Sequence, residues 1–298
     1  MQTTNLRYFY EAAQAGSMRA AGDKMGVAVS SVSRQIAQLE DEFGLLLIER
    51  GRRTIKLTQA GELAVNYYRR SQAERELFDS QIQDLRGLKA GRIELAMGEG
   101  FINGVFSGML NDFLSKNAGI LVSTVSATTL EVVRLVAEDE VHAGLVFHLP
   151  SDPKIRVKAS VEQPIVLLVR PDHPLAGHAQ VHLSDIAPYR VCMPPDGFRI
   201  RQIVAQAEAA EGVWLKTSLT ANSLLLLKEL AKSGECVTLL PKITAGPELL
   251  AGDLKAIPIA TPSLETTSIN LITRLGRQLP AAPLKLLNVL EANFRKWS

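Results

Sequence analysis

The N-terminal segment has the pattern of short amphipathic helices separated by polar turns. Apolar residues recur every three or four positions and predict a first helix over residues 5–15, with Leu6, Phe9, Tyr10 and Ala13 on one side. Gly16 ends this helix, and Ser17 is placed to cap a second, short helix over residues 18–25. A tight turn at residues 26–27 then leads into a third helix.

The third helix, within VAVSSVSRQIAQLEDEFG, is apolar on one side and polar on the other. Its apolar positions are spaced four, three and four apart and predict one buried stripe, made of Val32, Ile36, Leu39 and Phe43. At about 100° per residue, Ser30, Arg34 and Gln38 lie on the opposite face, flanked by Ser33. Two short helices joined by a glycine-containing turn, the second with a polar outward face, form a helix-turn-helix, whose second helix can enter the DNA major groove.

The segment after the third helix predicts a basic β-hairpin. Residues 47–48 and 55–57 have the pattern of two short strands, and residues 50–53 form the tip. Four positive charges fall within seven residues that contain no acid: Arg50, Arg52, Arg53 and Lys56. A basic hairpin that follows a helix-turn-helix is a wing, and its charge suits a contact with phosphate.

A long helix is predicted from Thr58, which can cap it, to about residue 88. Its apolar side chains form an imperfect stripe of Leu63, Tyr67, Leu77, Phe78, Ile82, Leu85 and Leu88. A lone helix of about thirty residues cannot bury such a stripe by itself, so we expect a partner chain against it. A solvated tether is the alternative, because Arg70 and Glu74 interrupt the stripe. Gly87 and residues 90–91 mark a flexible boundary.

From Arg92 onward the pattern alternates strands and helices, which is typical of parallel sheets. The first block has strands at 92–97, 120–125 and 142–147, with helices near 103–116 and 129–138. The second block has strands at 164–170, 189–193, 214–219 and 236–241, with helices near 199–211 and 223–233. A strand at 266–274 and a helix at about 282–297 close the chain. Two α/β lobes make the cleft between them the natural binding place.

Composition and charge exclude few classes of protein. With 298 residues, 46% of them hydrophobic and 21% charged, the chain should form a substantial core in two or three structural units. No apolar run is long enough for a membrane span, and the N-terminus lacks a secretory signal, so we expect a cytoplasmic protein without a membrane partner. The net charge of +2 lies in residues 1–91, which hold thirteen Lys and Arg against eleven Asp and Glu.

The cysteines and histidines give no sign of a metal site. Cys192 and Cys236 match no metal-ligand spacing and lie in apolar, strand-like runs. Two buried thiols are the main interpretation, and a redox pair is the alternative. The five histidines are scattered without a metal-binding motif: His142, His148, His173, His178 and His182.

The sequence also gives no positive sign of catalysis. No nucleophile motif is present, and the adjacent carboxylates Asp41-Glu42 and Asp139-Glu140 are interpreted as solvated helix faces. Gly98-Glu99-Gly100 invites a dinucleotide-binding interpretation, which fails because Asn103 holds the third glycine position. This loop is expected to line a cleft instead. We therefore expect no catalytic residue, no metal and no cofactor.

Residues 16–62 resemble the N-terminal domain of LysR-type transcriptional regulators. The match includes Gly16-Ser17, Ser33-Arg34-Gln35-Ile36, Leu39-Glu40, Gly44, Glu49-Arg50, Leu57-Thr58 and Ala60-Gly61. HPLAG at 173–177 and GECVTLLP at 234–241 extend the resemblance more diffusely over the full length.

The resemblance implies three parts and a function. They are a winged helix-turn-helix domain (1–58), a linker and dimerisation helix (59–91), and a two-lobed effector domain similar to periplasmic binding proteins (92–298). Lobe I would comprise about 92–162 and 267–298, and lobe II about 163–266. Such a protein is a sequence-specific DNA-binding regulator, not an enzyme, and responds to a small molecule bound between the lobes.

Two departures from the family pattern affect the third helix. Ala28 stands where the family often has serine and cannot cap, and Val29 stands where glutamine is common and offers only an apolar contact. Ser30 or Ser31 is therefore expected to cap the helix, and whether these two serines also touch DNA is left open. The predicted DNA-contacting residues are Ser30, Ser31, Ser33, Arg34, Gln35, Gln38, Arg52 and Arg53.

The effector is expected to bind just past the strand ends that face the cleft. The predicted lining residues are Gly100, Phe101, Thr128, Thr129, His148, Pro195 and Asn222. Thr129 and Asn222 are expected to precede helices, which favours a polar or anionic ligand, whereas Glu99 at the mouth argues against an anion. The expected macromolecular partners are promoter or operator DNA and further copies of the chain, as a homodimer or homotetramer. The effector's identity, the target genes and the direction of regulation are left open.

Overall fold

The computed structural model describes residues 3–49, 54–85, 90–102 and 104–294. Outside these ranges lie the predicted wing tip with Arg50, Arg52 and Arg53, the linker residues Gly87 and Leu88, Asn103, and the end of the predicted final helix. The chain divides into two compact units, Met1–Asp79 and Ser80–Ser298. Among the described residues, none of the helices combines the length and apolar character needed to cross a membrane.

The first unit is built from helices packed around one small core. Its helices are α1 (Thr3–Ala15), α2 (Met18–Met25), α3 (Val29–Phe43) and α4 (Gln59–Leu85), the last of which runs on into the second unit. The first two helices confirm the sequence prediction, and Ser17 caps α2 by accepting a hydrogen bond from the Ala20 N–H at 3.1 Å. The core joins residues of all four helices and the hairpin: Leu6, Phe9, Ala21, Val32, Ile36, Leu39, Leu47, Val65 and Tyr68.

Two details predicted for α3 are wrong. Ala28 is the residue that precedes the helix, without a side-chain cap, and both Ser30 and Ser31 lie inside the first turn. The preceding turn fixes this start, because the Val27 N–H binds the Gly22 carbonyl at 3.0 Å. Phe43 is 37% exposed and not part of the buried stripe. The helix ends at Gly44, and its last turn extends past the packed core.

The predicted hairpin and the start of the long helix are confirmed. Ile48 and Leu57 form an antiparallel bridge, and the Glu49 N–H binds the Lys56 carbonyl at 2.9 Å. Thr58 caps α4 through its hydroxyl, which accepts from the Gly61 N–H at 3.1 Å. The base of the wing is therefore an antiparallel hairpin that leads directly into α4.

The second unit contains ten strands and eight helices in its described residues. The strands are β1 (Gly91–Met97), β2 (Ile120–Ser126), β3 (Ala143–Phe147), β4 (Ile155–Glu162), β5 (Ile165–Val169), β6 (Val191–Met193), β7 (Thr217–Thr220), β8 (Val237–Pro241), β9 (Lys255–Pro258) and β10 (Ser268–Arg274). The helices are α5 (Gly104–Ser115), α6 (Thr129–Ala137), α7 (Leu183–Ile186), α8 (Arg199–Glu211), α9 (Leu224–Ser233), α10 (Gly246–Ala251), α11 (Pro262–Glu265) and α12 (Ala281–Phe294). Three short 3-10 helices are η1 (Glu99–Phe101), η2 (Pro174–Gly177) and η3 (Lys242–Ala245).

The strands form two five-stranded sheets, one in each lobe. The sheet of lobe I has the order β2-β1-β3-β10-β4, and that of lobe II has the order β7-β6-β8-β5-β9. Within each sheet the three strands that begin the order are parallel, and the crossing strands β10 and β5 run antiparallel to their neighbours. This confirms a two-lobed α/β domain whose parallel strands direct their carboxyl ends to one edge.

The chain passes between the lobes at two adjacent segments. The Gln163 N–H binds the Thr267 carbonyl at 2.8 Å, and the Thr267 hydroxyl donates to the Gln163 carbonyl at 2.6 Å. Both residues are buried. The two crossings are therefore hydrogen-bonded to each other where the chain passes from one lobe to the other.

Asp139 was predicted to be solvated, and that prediction is wrong. It has a positive φ of 57° just after α6, so the spacing of helical neighbours does not apply to it. Its carboxylate is buried against Arg274 and against Arg277, whose Nη1 lies 3.2 Å from Oδ1. Arg274 is the last residue of β10 and Arg277 follows it, so these ion pairs connect the end of α6 to the end of that strand.

Candidate functional site

The outward face of α3 carries polar side chains without partners. Ser30, Ser33, Arg34 and Gln38 are exposed, and Ser31 and Gln35 are half-buried. Arg34 forms no ion pair and no side-chain hydrogen bond within the described part of the chain. A guanidinium, hydroxyls and an amide on one solvated helix face are the groups that read base edges and phosphates.

The basic hairpin is less positive at its base than the sequence suggested. Lys56 is paired with Glu49, with Nζ 3.0 Å from the carboxylate. The remaining arginines of the predicted wing, Arg52 and Arg53 among them, lie outside the described residues. The local positive charge of the wing therefore depends on the arginines at its tip.

The cleft between lobe I and lobe II encloses about 510 Å³, including the part open to solvent. Its walls come from loops and helix starts that follow the carboxyl ends of the strands. Lobe I contributes Gly98, Glu99, Gly100, Phe101, Ala127, Thr128, Thr129, Phe147 and Ile269. Lobe II contributes Phe198, Arg199, Ile200, Leu224, Pro241, Ile243 and Thr244. Most of these side chains are apolar, as is usual for a small-molecule site.

The start of α6 places two hydroxyls and two free N–H groups in the wall of lobe I. The Thr128 hydroxyl caps α6 and accepts from the Glu131 N–H at 3.4 Å, while the Thr129 hydroxyl donates to the Phe147 carbonyl at 3.3 Å. The backbone N–H groups of Thr129 and Leu130 find no acceptor among the described residues. This helix end can donate hydrogen bonds to a ligand.

Arg199 places a cation in the wall of lobe II, at the first residue of α8. Its Nε donates to the His148 carbonyl at 3.2 Å, and it has no carboxylate partner in the described part of the chain. Phe198, which precedes α8, offers no side-chain cap, so the first N–H groups of α8 are also unpaired among the described residues. A cation in a first helical turn opposes the helix dipole, and an arginine at this position of the sequence is therefore a signal for an anion site that the strand-end pattern alone does not show.

Glu99 crosses the cleft from lobe I to the start of α9 in lobe II. Its Oε2 accepts from the Leu224 N–H at 2.9 Å, and its Oε1 accepts from the Ser223 hydroxyl at 3.1 Å and the Leu225 N–H at 3.4 Å. The carboxylate therefore neither points into solvent nor remains unpaired at the mouth. It is held by the N-terminus of a helix in the opposite lobe.

Gly100 allows the lobes to approach beside that contact. A Cβ atom at this position would lie 2.8 Å from Cγ2 of Thr244, a side chain of the opposite lobe that is itself buried. Glycine is therefore required for the observed distance between η1 and η3.

The structure brings together four of the seven predicted effector residues. Gly100, Phe101, Thr128 and Thr129 line the cleft, whereas the following three do not: His148, Pro195 and Asn222. His148 follows β3 with a φ of 45°, and its carbonyl accepts a hydrogen bond from Arg199. Burial lowers the pKa of its imidazole, and the charge of Arg199 lowers it further. Pro195 lies in the turn before α8, where its carbonyl accepts from the Phe198 N–H at 2.9 Å, and Asn222 is exposed one residue before Ser223, which caps α9.

Comparisons with known proteins agree with this architecture over nearly the whole chain. Residues 3–62 match the bacterial regulatory helix-turn-helix proteins of the lysR family, and residues 86–295 match the LysR substrate binding domain. The chain belongs to the LysR family. It is a DNA-binding transcriptional regulator with an effector-binding domain, and not an enzyme.

One curated relative of this LysR-family chain and two solved structures illustrate the similarity. The DNA-binding transcriptional dual regulator OxyR of Escherichia coli (strain K12) is 28% identical over 311 residues, which cover 99% of this chain and 96% of OxyR. Full-length CbnR complexed with its target DNA has a TM-score of 0.59 at 20% identity, with all of both chains covered. The regulatory domain of CcmR from Synechocystis PCC6803, in complex with 2-PG, has a TM-score of 0.62 at 21% identity and covers 69% of this chain and 98% of its own.

Proposed function

We propose that this regulator recognises promoter DNA through the outward face of α3 and the wing. Ser30, Ser33 and Arg34 enter the major groove, where Arg34 contacts a base edge or a phosphate, and Ser31, Gln35 and Gln38 support them. Arg52 and Arg53 at the wing tip contact the backbone or the minor groove. The observation that carries this assignment is the unpaired, solvated polar face of α3, opposite its buried stripe. A protein with this task acts in the cytoplasm, where bacterial DNA lies.

We infer that a small polar or anionic molecule binds in the cleft and shifts the arrangement of the lobes. Free N–H groups at the starts of α6 and α8, together with Arg199, converge on the cleft from both lobes. Donors from two lobes bind one ligand together only in a closed arrangement, which gives the ligand the differential affinity that a switch requires. The two crossing segments at Gln163 and Thr267 lie outside both sheets, so they would act as the hinge of this movement while the strand pairing stays intact.

We infer that the protein works as a homo-oligomer in which α4 pairs with α4 of a second copy. Large apolar side chains along this helix remain exposed in the single chain: Leu63, Tyr67, Phe78, Ile82 and Leu85. Further large apolar side chains are exposed on the edge strands of the two sheets, with Leu121 and Val125 on β2 and Leu219 on β7. Two distinct apolar surfaces suit a tetramer made from two dimers.

An electrophoretic retardation experiment tests the proposed function. The full-length protein is incubated with a divergent intergenic fragment next to its own gene and with a coding fragment of equal length, both under excess competitor DNA. A retarded band only with the intergenic fragment supports sequence-specific binding. Equal retardation of both fragments, or of neither, overturns it.

A further inference from the structure

The start of α9 has no free donor in this structure. The Leu224 and Leu225 N–H groups bind Glu99, the Leu226 N–H binds the Ser223 hydroxyl at 3.5 Å, and the Leu227 N–H binds the Ser223 carbonyl at 3.3 Å. An N-terminus of this kind is a place where an anion binds. Here the anion is a carboxylate of the protein itself, supplied from the other lobe.

The other two helices that begin at the cleft, α6 and α8, have N–H groups in their first turns for which the described residues provide no acceptor. At α6 the N–H groups of Thr129 and Leu130 have no acceptor in the described part of the chain, and at α8 those of Arg199 and Ile200 have none. Among the described residues that line the cleft, Arg199 supplies the one guanidinium. The cleft therefore offers donors from both lobes to an external anion, while the start of α9 is already neutralised by Glu99.

Most of the remaining cleft wall is apolar. Three aromatic rings and four isoleucine or leucine side chains line it from both lobes: Phe101, Phe147, Phe198, Ile200, Leu224, Ile243 and Ile269. A ligand that fills this space has an apolar body next to its anionic group.

We propose that Glu99 is a specificity-determining residue that makes the cleft select monoanionic ligands with an apolar body, such as aromatic or aliphatic monocarboxylates, over dianions. The inference rests on the proposed role of the cleft as the effector site and names the ligand class for that role. A second anionic group on a ligand would meet the Glu99 carboxylate, and the repulsion between like charges would oppose binding. Displacing Glu99 from α9 would instead leave a half-buried carboxylate without its donors.

Calorimetric titration of the full-length protein with matched acids tests this proposal. The probes are benzoate against isophthalate, and hexanoate against adipate, so that each pair differs by one carboxylate. Wild type is expected to bind the monocarboxylate on the order of tenfold or more tightly than its partner. In Glu99→Gln the preference should shrink severalfold, mainly through tighter binding of the dicarboxylate. The matched control is Glu291→Gln, which removes an exposed carboxylate on α12 and should leave the preference unchanged.

The outcomes separate the failure of this inference from the failure of the proposed site. Equal binding of both members of each pair by wild type, or a preference that Glu99→Gln leaves intact, overturns the role of Glu99. So does an increase in affinity for mono- and dicarboxylates alike, which would make Glu99 a general competitor of anions. The absence of binding by any probe overturns the monocarboxylate class.

Two further variants test whether a folding defect or binding outside the cleft explains the result. If Glu99→Gln melts well below wild type, Glu99→Ser replaces it, because serine also removes the charge and leaves no amide N–H facing the donors at the start of α9. Arg199→Gln must weaken every probe that binds. If it does not, the probes bind outside the cleft and the proposed effector site itself is wrong, while the retardation experiment still reports on DNA binding.

Discussion

Glu99 Oε2 and the backbone nitrogen of Leu224 lie 2.9 Å apart and join the two lobes of the effector domain across their cleft. A second tie runs from Arg199 Nε to the His148 carbonyl, 3.2 Å away. Both ties end at the start of a helix in lobe II, one at α9 and one at α8. The groups that hold the lobes together thus also border the cleft, so we expect ligand binding there to be coupled to the arrangement of the lobes.

Gly100→Ala should destabilise the protein, because its new methyl group must displace Thr244 at the contact between the lobes. Overpacking of this kind costs on the order of 1–3 kcal/mol. Gly108→Ala is the matched control: nothing lies within 4 Å of a Cβ there, and alanine is the better helix former by up to about 1 kcal/mol. Thermal unfolding of both variants checks this, and an equal or greater stability of Gly100→Ala than of wild type would show that the lobes do not require this contact.

Arg34→Ala should weaken binding to a specific DNA site by about 1–3 kcal/mol if Arg34 makes a bidentate contact with a base. Fluorescence anisotropy on a labelled site at fixed salt measures the change. Lys285→Ala, which removes an equal charge from an exposed residue of the second unit, separates a local contact from the effect of net charge. Affinity that falls equally in both variants would remove Arg34 from the recognition surface.

Arg52→Ala, at the predicted wing tip, should weaken binding to all DNA sequences and reduce the dependence of affinity on salt. A phosphate contact releases counterions, so its loss lowers the slope of log affinity against log salt by about 1. The same anisotropy titrations, repeated at several salt concentrations, measure the slope. A loss confined to one DNA sequence would indicate a base contact instead.

Phe78→Glu should dissociate the oligomer, because it places a charge in the exposed apolar stripe of α4. Light scattering should then give about half the wild-type mass: near the 32.5 kDa of one chain if wild type is a dimer, and near twice that if it is a tetramer whose edge-strand contact persists. Gln83→Glu adds the same charge about 140° around the helix and should leave the assembly intact. A wild type that is already monomeric at micromolar concentration would contradict the proposed pairing.

His148→Asn should make stability less sensitive to mild acid. Burial, and then Arg199, lower the pKa of His148, so the unfolded chain takes up a proton near pH 6.5 more readily than the folded one. The free energy of unfolding therefore falls as pH drops through about 6.5, and removing the imidazole should flatten that slope. Asparagine tolerates the positive φ. Denaturant unfolding across this pH range, with the exposed His178→Asn as control, measures the slopes, and identical slopes would exclude His148 as a contributor.

The sequence predicts correctly those helices and strands in which apolar residues recur with a clear period. The stripe at Val32, Ile36 and Leu39 predicted α3 and its buried side correctly, since these positions recur on one helical face. The same kind of pattern did not predict the strands β4 and β9. The first is a half-exposed edge strand with charged residues, and the second has four residues that include a proline, so neither shows a clear apolar pattern.

The cleft was only partly predictable, because its chemistry depends on contacts between residues far apart in the chain. Strand ends are visible in a sequence, and they led to Gly100, Phe101, Thr128 and Thr129. The hydrogen bond that the Ser223 hydroxyl donates to Glu99 joins residues separated by 124 positions, and no local sequence pattern indicates it. The same is true of Cys192 and Cys236, whose Sγ atoms lie 2.7 Å apart although 44 residues separate them.

Footprinting on the retarded intergenic fragment, with wild type and Arg34→Ala, tests the central claim most directly. A dimeric helix-turn-helix regulator should protect two half-sites centred about one helical turn apart, roughly 10 base pairs, or a multiple of that distance. Arg34→Ala should lose this protection at the same protein concentration. Uniform protection without half-sites, or a pattern that Arg34→Ala leaves unchanged, would contradict recognition of DNA by α3.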